Sequence, residues 1–229
     1  KLQRVLNLSK YPKRMECYDI SHISGVDKVG SMVVFTDGEK DAAEYRRFKI
    51  KTVEGNNDFE SLKEVLKRRL SKLGTDEEEK FPKPDLIIID GGKGQLSSVK
   101  QIFDELNVKD IDLVSLAKQE EEVFTLHSDR SVLIDKSDYA LRLLQRIRDE
   151  AHRFAITFNR SLRGKRSLVS VLDGIDGVGK VKKKALLEKF KDLSGIMNAK
   201  KEDLMTVDGI GEALADEIIA ELKKENITL

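Results

Sequence analysis

Apolar positions along the 229-residue chain follow two rhythms, and the change between them marks its organisation. Up to about residue 160, short β-branched or apolar runs alternate with stretches of helical spacing. Residues 16–23, 31–35 and 43–50 read as three antiparallel strands, joined through Gly25 and Gly30 and then by a turn at Asp37-Gly38. Phe59, Leu62, Val65, Leu66, Arg69 and Leu73 recur at helical spacing over 58–73, and Asn56-Asn57 supply a cap. After Pro82 and Pro84, the continuous apolar run 85–89 suits a strand buried on both faces. Gly91-Gly92 then turns the chain into a helix carrying Leu96, Val99, Ile102, Phe103 and Leu106. A strand at 112–116 follows, then a hairpin of 123–126 and 132–134 around Ser128-Asp129. From Ser137-Asp138 a long helix carries the stripe Leu141, Leu144, Ile147, Ala151, Phe154, Ala155 and Phe158. The order β-β-β-α-β-α-β with additions is an α/β sheet: an antiparallel meander, then parallel strands.

The second rhythm is a repeat. Asp176-Gly177-Val178-Gly179 recurs as Asp208-Gly209-Ile210-Gly211, and the flanks recur with it: Leu172 with Leu204, Ile175 with Val207, Leu186 with Ile218. Each unit reads as helix, glycine turn, helix, with 190–199 as connector. Two such units pack into one four-helix domain, because neither buries its apolar face alone. The expected division is a domain over 1–160, a linker at 161–167 where Arg, Gly, Lys and Ser interrupt the apolar periodicity, and a helical domain over 168–229.

Composition removes several classes. No apolar stretch approaches the roughly 20 residues of a membrane-spanning helix. One cysteine, Cys17, excludes an internal disulfide framework, and with three histidines it leaves too few soft ligands for structural zinc. A reducing, cytoplasmic setting fits. Lys1 in place of Met, with no basic-apolar-small leader, suggests a piece cut from a longer protein. The net charge of +1 averages over segregated blocks: acidic runs at 76–79 and 120–122, a basic stretch over 142–166, and six lysines against Glu188 over 180–191.

Two carboxylates carry the first chemical signal. Asp19 lies inside the first strand and Asp90 at the tip of the buried 85–89 strand, where an unpartnered carboxylate is costly. If the first and fourth strands are neighbours, the two approach each other, and Mg²⁺ or Mn²⁺ relieves their repulsion. His152 sits beside the stripe of the long helix, with Arg148 one turn before it on the same face, a cation suited to phosphate. The glycine turn at Lys93-Gly94 lacks Walker spacing, so no nucleotide cofactor is expected, and its amides and Lys93 suit a phosphate of another partner instead. Arg47, among Arg46, Lys49 and Lys51, faces either such a phosphate-bearing partner or a salt bridge.

In the repeat, glycines at 177, 179, 209 and 211 let backbone N–H groups approach a phosphate at a helix N-terminus, while Val178 and Ile210 plug the core. Lys180, Lys182, Lys183 and Lys184 supplement the first turn. The second has Glu212 where the first has Lys180, and should bind less strongly. Such contacts read no base edge, so binding is indifferent to sequence and weakened by salt.

Four segments together resemble a known family: Glu16-Cys17-Tyr18-Asp19-Ile20-Ser21-His22, Tyr45-Arg46-Arg47-Phe48, Ile89-Asp90-Gly91-Gly92-Lys93-Gly94-Gln95-Leu96 and Arg148-Asp149-Glu150-Ala151-His152-Arg153-Phe154-Ala155. They look like the C-terminal half of UvrC, the excinuclease of bacterial nucleotide excision repair, over nearly the whole chain. The resemblance implies an RNase H-like endonuclease domain followed by tandem helix-hairpin-helix motifs, and incision on the 5′ side of a DNA lesion. It implies Asp19, Asp90 and His152 as catalytic residues around Mg²⁺ or Mn²⁺, with His152 as ligand or general base. Asp58 falls where the family has another acidic residue implicated in incision; a helix N-terminal Asp favoured by the dipole is the other reading. The implied partners are damaged duplex DNA and, through the full-length protein, the UvrB–DNA pre-incision complex. The competing classes are a non-catalytic DNA-binding or scaffold module and a junction-processing nuclease of the same fold.

Overall fold

A computed structural model describes residues 1–23, 27–53, 55, 57–117, 121–128 and 130–226, with side chains at all of these but 23, 27, 159–167 and 224–226. Gly25, Asn56, Glu120 and Asp129 lie outside the described residues. The chain divides into two units, Lys1–Ile156 and Thr157–Leu229.

The first unit is built on one mixed sheet. Its strands are β1 (Arg14–Ile23), β2 (Asp27–Thr36), β3 (Glu39–Lys40), β4 (Arg46–Lys49), β5 (Leu86–Asp90), β6 (Asp112–Leu116) and β7 (Val123–Thr125). The spatial order is β3-β2-β1-β5-β6-β7, with β4 also pairing β2. β1 runs antiparallel to β2 and parallel to β5, so the first strand and the 85–89 run are neighbours as the sequence suggests. Period-two alternation then divides the core. Met15, Cys17, Val33, Phe35, Leu86 and Ile88 face α1 (Leu2–Leu6) and the start of α4 (Tyr139–Asp173), whose Leu141, Leu144, Ile147 and Ala151 close that side. Tyr18, Met32, Val34, Ile87 and Ile89 face α2 (Asp58–Leu70) and α3 (Lys93–Glu105) on the other. Each fully buried Leu or Ile here contributes about 1.5–3 kcal/mol.

Several sequence expectations shift. Gly30 is no turn: it lies inside β2, where a Cβ would stand 2.5 Å from a methyl of Val65, so its missing side chain lets α2 approach the sheet. The third strand, expected over 43–50, shortens to β4: a 3-10 turn over Ala42–Glu44 takes its start, because Ala-Ala-Glu has little preference for strand, and the two-residue β3 lies before that turn. Asp37 and Gly38 (φ 51° and 84°) do form the expected tight turn. Asn57 caps α2 through its side chain, accepting from the Glu60 N–H at 3.2 Å. The 132–134 half of the expected hairpin shrinks to one bridge between Val132 and Val123.

The second unit comprises the end of α4, α5 (Lys180–Phe190), α6 (Leu193–Met197), α7 (Lys201–Met205) and α8 (Glu212–Asn226). Leu172, Ile175, Val178 and Leu186 share one core with their repeat counterparts Leu204, Val207, Ile210 and Ile218. Two details differ from expectation. The connector holds a helix of its own, α6, opened by the Asp192 side chain, so the unit exceeds four helices. Residues 161–167 continue α4 rather than forming an irregular link; Arg, Lys and Leu favour helix, and one Gly costs only about 1 kcal/mol.

Candidate active site

Register brings the candidate carboxylates together. Tyr18 pairs with Ile89, and Asp19 and Asp90 are the next residues on their parallel strands, so alternation turns both toward α4. The buried Cys17 thiol reports this closeness: burial first, then the charges of Asp90 and Asp19, push its pKa well up. His152 comes from α4, with Nδ1 3.4 Å from Asp19 Oδ2. The imidazole is half exposed (54%), whereas the Asp19 side chain is only 13% exposed. Across the sheet the row continues from Asp19 to Ser31 on β2 and from Ser31 to Arg47 on β4. Arg47 holds its guanidinium 4.1 Å from the centroid of Phe154, on the α4 side of the sheet.

A second set of contacts fixes α4 behind this row. Glu150, 3% exposed, accepts from Lys40 Nζ at 2.6 Å, from the Tyr45 hydroxyl at 3.1 Å and from both Arg153 Nε and Nη2. These bonds, Arg153's foremost, hold its carboxyl at about 2 against the opposing effect of burial. Tyr45 also packs edge-on against Phe154, with centroids 5.1 Å apart. The Arg148–Ala155 segment therefore alternates bracing and chemistry: Glu150 and Phe154 tie the helix to β3 and β4, while His152 meets Asp19.

Other candidates fall elsewhere. Asp58 lies 2.6 Å from His22 Nε2. His22 belongs to the Tyr18–Ile20 side of β1, the face opposite Asp19, so the structure does not gather Asp58 with the other three. Arg148 is mostly buried and committed to carboxylates, donating to Glu121 Oε2 at 2.9 Å and to Asp149 Oδ1 at 3.1 Å rather than standing open beside His152. Lys93 is exposed at the first position of α3, after Gly92 as N-cap. The Gln95 side chain folds over Gly91, where a Cβ would stand 1.1 Å from Oε1.

The two hairpins keep their glycine geometry. Gly177 and Gly209 have φ of 85° and 77°, accessible to glycine with little strain. Gly179 precedes α5 with no side-chain cap, and a Cβ there or at Gly211 meets nothing within 4 Å. The lysines are less available than the sequence suggests. Lys182 donates to the Gly177 carbonyl in the preceding turn at 2.9 Å, Lys183 pairs with Asp173 at the end of α4, and Lys184 lies 3.8 Å from Glu188 one turn on. Lys180 is exposed at the start of α5. In the second hairpin Glu212 accepts from Lys201 at 2.9 Å.

Residues 3–156 match the UvrC RNase H endonuclease domain, and residues 169–224 match the SAM-like helix-hairpin-helix tandem. The chain belongs to the UvrC family. It is 47% identical to the UvrABC system protein C of Dehalococcoides mccartyi strain CBDB1 over 93% of this chain and 36% of that protein. With the protein of the same name from Solibacter usitatus it shares 47% identity over 96% of this chain and 34% of that one. It thus spans about a third of the length of these relatives. Among solved structures, a Ciona intestinalis endonuclease V in complex with DNA aligns with 52% of this chain and 54% of that one at 13% identity and a TM-score of 0.37.

Within this UvrC chain the first unit is a nuclease domain of RNase H-like fold and the second a helix-hairpin-helix region. Asp19 and Asp90 offer hard carboxylate oxygens of the kind a divalent cation takes. Among the described residues no three His, Cys, Asp or Glu side chains close around a common point. The sheet side of the Glu150 brace is not marked in the sequence, since Lys40 and Tyr45 lie more than 100 residues away and only Arg153 is local. Among the described residues no helix is long and apolar enough to cross a membrane.

Proposed function

We propose that this chain is the part of a UvrC protein that hydrolyses the DNA phosphodiester on the 5′ side of a lesion. The observation that carries the reading is the register that turns Asp19, inside β1, and Asp90, at the end of β5, to one face of adjacent parallel strands, with His152 Nδ1 3.4 Å from Asp19. Asp19 and Asp90 would hold Mg²⁺ or Mn²⁺; when bound, the ion supplies Lewis acidity toward the scissile phosphate. With Nδ1 turned to Asp19, His152 keeps Nε2 for either a proton or the ion, and the proposed step uses it as the general base. Water attacks phosphorus, its proton passes to His152, and the bond to the 3′ oxygen breaks; that oxygen takes a proton from solvent, leaving a 3′ hydroxyl and a 5′ phosphate. Arg47 and Lys93 are proposed to bind flanking phosphates. Arg148 is better read as a structural cation because of its two carboxylate partners, and Asp58 as a partner of His22.

Residues 1–160 are proposed as the cutting domain and 168–229 as the grip. Amides before α5 and α8, with Lys180, would take phosphates of the damaged duplex at any sequence. Engagement of the UvrB–DNA complex would belong to the full-length protein, and a cytoplasmic site of action follows from that role. The test is product mapping with Mn²⁺ or Mg²⁺ on a lesion-bearing duplex and on branched DNA. The reading expects cuts 5′ to the lesion, abolished by chelation and by Asp19→Asn or Asp90→Asn. Binding without cutting would favour a scaffold, and cuts confined to branch points a junction nuclease.

A further inference from the structure

Ser31 occupies the middle of the row described above, opposite Asp19 on one side and Arg47 on the other. It is completely buried, and its hydroxyl has no hydrogen-bond partner. A buried hydroxyl in that condition lowers stability, and an apolar residue of similar size would relieve the cost. Farther along the same face, β2 does use apolar residues: Val33 and Phe35 are ordinary core. The polar exception falls where the strand passes the Asp19 carboxylate. Packing gives no reason for it, so the reason is sought in chemistry.

Directly opposed residues of an antiparallel pair have Cβ atoms about 4.5–5.5 Å apart. Rotation about one bond therefore carries Ser31 Oγ toward the carboxylate. Of its two cross-strand neighbours, the Arg47 guanidinium offers only donors, and Asp19 is the one that can receive the hydroxyl proton. A carboxylate that gives one oxygen to a cation is steadied by a hydrogen bond to the other. We propose that Ser31 is a positioning residue for Asp19, donating to its second oxygen when Asp19 takes a divalent cation. This rests on the metal-dependent reading above. The hydroxyl thus trades stability for a correctly held metal ligand.

The test measures Mn²⁺ affinity by titration calorimetry and the melting temperature of the intact chain. Wild type is compared with Ser31→Ala, Ser31→Cys, Ser31→Thr and Asp19→Asn. Ser31→Ala and Ser31→Cys should bind Mn²⁺ about tenfold more weakly while melting at or above the wild-type temperature. Ser31→Thr, which keeps the hydroxyl, should restore affinity even where its added methyl lowers the melting temperature. Wild-type affinity in Ser31→Ala, with binding lost in Asp19→Asn, would overturn the proposal and leave the site intact. Wild-type affinity in Asp19→Asn as well would overturn the metal site itself. A lower melting temperature in Ser31→Ala with unchanged affinity would make the hydroxyl a packing element and also refute the proposal.

Discussion

The two units assemble their chemistry in opposite ways. Between Lys1 and Ile156, Asp19, Asp90 and His152 come from three distant segments and meet only because β1 pairs with β5 in one register and α4 is braced against the sheet. Between Thr157 and Leu229 each candidate phosphate site is made within a few residues, by a glycine with positive φ and a helix that begins beside it. A one-residue slip in β1 would turn Asp19 to the wrong face and erase the first site. The second depends on no strand register, only on its own turn and the core that the two repeats share. Precision demanded by bond-breaking is obtained from long-range order, whereas a grip indifferent to sequence needs only exposed amides repeated along the chain.

Substitutions that break the long-range set should have the largest effects. Asp19→Asn or Asp90→Asn should slow nicking by more than about 10³-fold while DNA affinity stays near wild type, measured by plasmid nicking beside a binding isotherm. His152→Ala should lose about 10²–10⁴-fold and remain folded, since the imidazole is half exposed. Unfolding would mean that His152 serves packing.

The brace comes next. Glu150 has its pKa lowered from the usual 4.5 to about 2 in the fold, so it contributes stability above pH 4.5 that is lost as pH falls toward 2. Removing it as Glu150→Ala should cost at most about 3 kcal/mol at neutral pH and flatten the acid limb of the stability curve between those values. Urea melts at pH 7 and pH 3 check both. An equal acid limb in the two proteins would remove Glu150 as the anchor of α4.

Smaller effects should come from the local sites. At Gly179 the backbone is unstrained (φ −73°) and a side chain meets no neighbour, so Gly179→Tyr should fold normally yet stand before the amides of α5. DNA affinity should fall by about tenfold, the worth of one hydrogen bond to a charged group. Smallest is the contrast among lysines: Lys180→Ala should reduce the slope of log affinity against log salt by about 1, and Lys183→Ala, already paired with Asp173, by almost nothing. Equal losses would mean that the Asp173 pair opens on DNA.

Legibility in the sequence followed the same division. Gly177 and Gly209 were readable from the repeat because a turn is local. The buried run of β5 was readable because it is continuously apolar and bounded by Pro and Gly, and the stripe of α4 because it is periodic; they brought Asp90 and His152 into consideration. What depended on distant partners was hidden: Arg148 reads as open until Glu121 is seen beside it, and Ser31 reads as an ordinary strand residue until β1 and β4 are laid against β2. The 3-10 turn over Ala42–Glu44 and the extra helix α6 were missed for another reason. Both are short, and short elements leave too few positions for a period to show.

The central claim is that Asp19 and Asp90 act as one site, and a double-mutant cycle on DNA cleavage tests it most directly. Nicking rates in Mn²⁺ are measured for wild type, Asp19→Asn, Asp90→Asn and the double variant. Residues that act as a unit are not additive, so each single variant should be as slow as the double. Cleavage at the wild-type rate in either single variant, or a double variant slower by the product of the two single effects, would show that the carboxylates do not form a common catalytic centre.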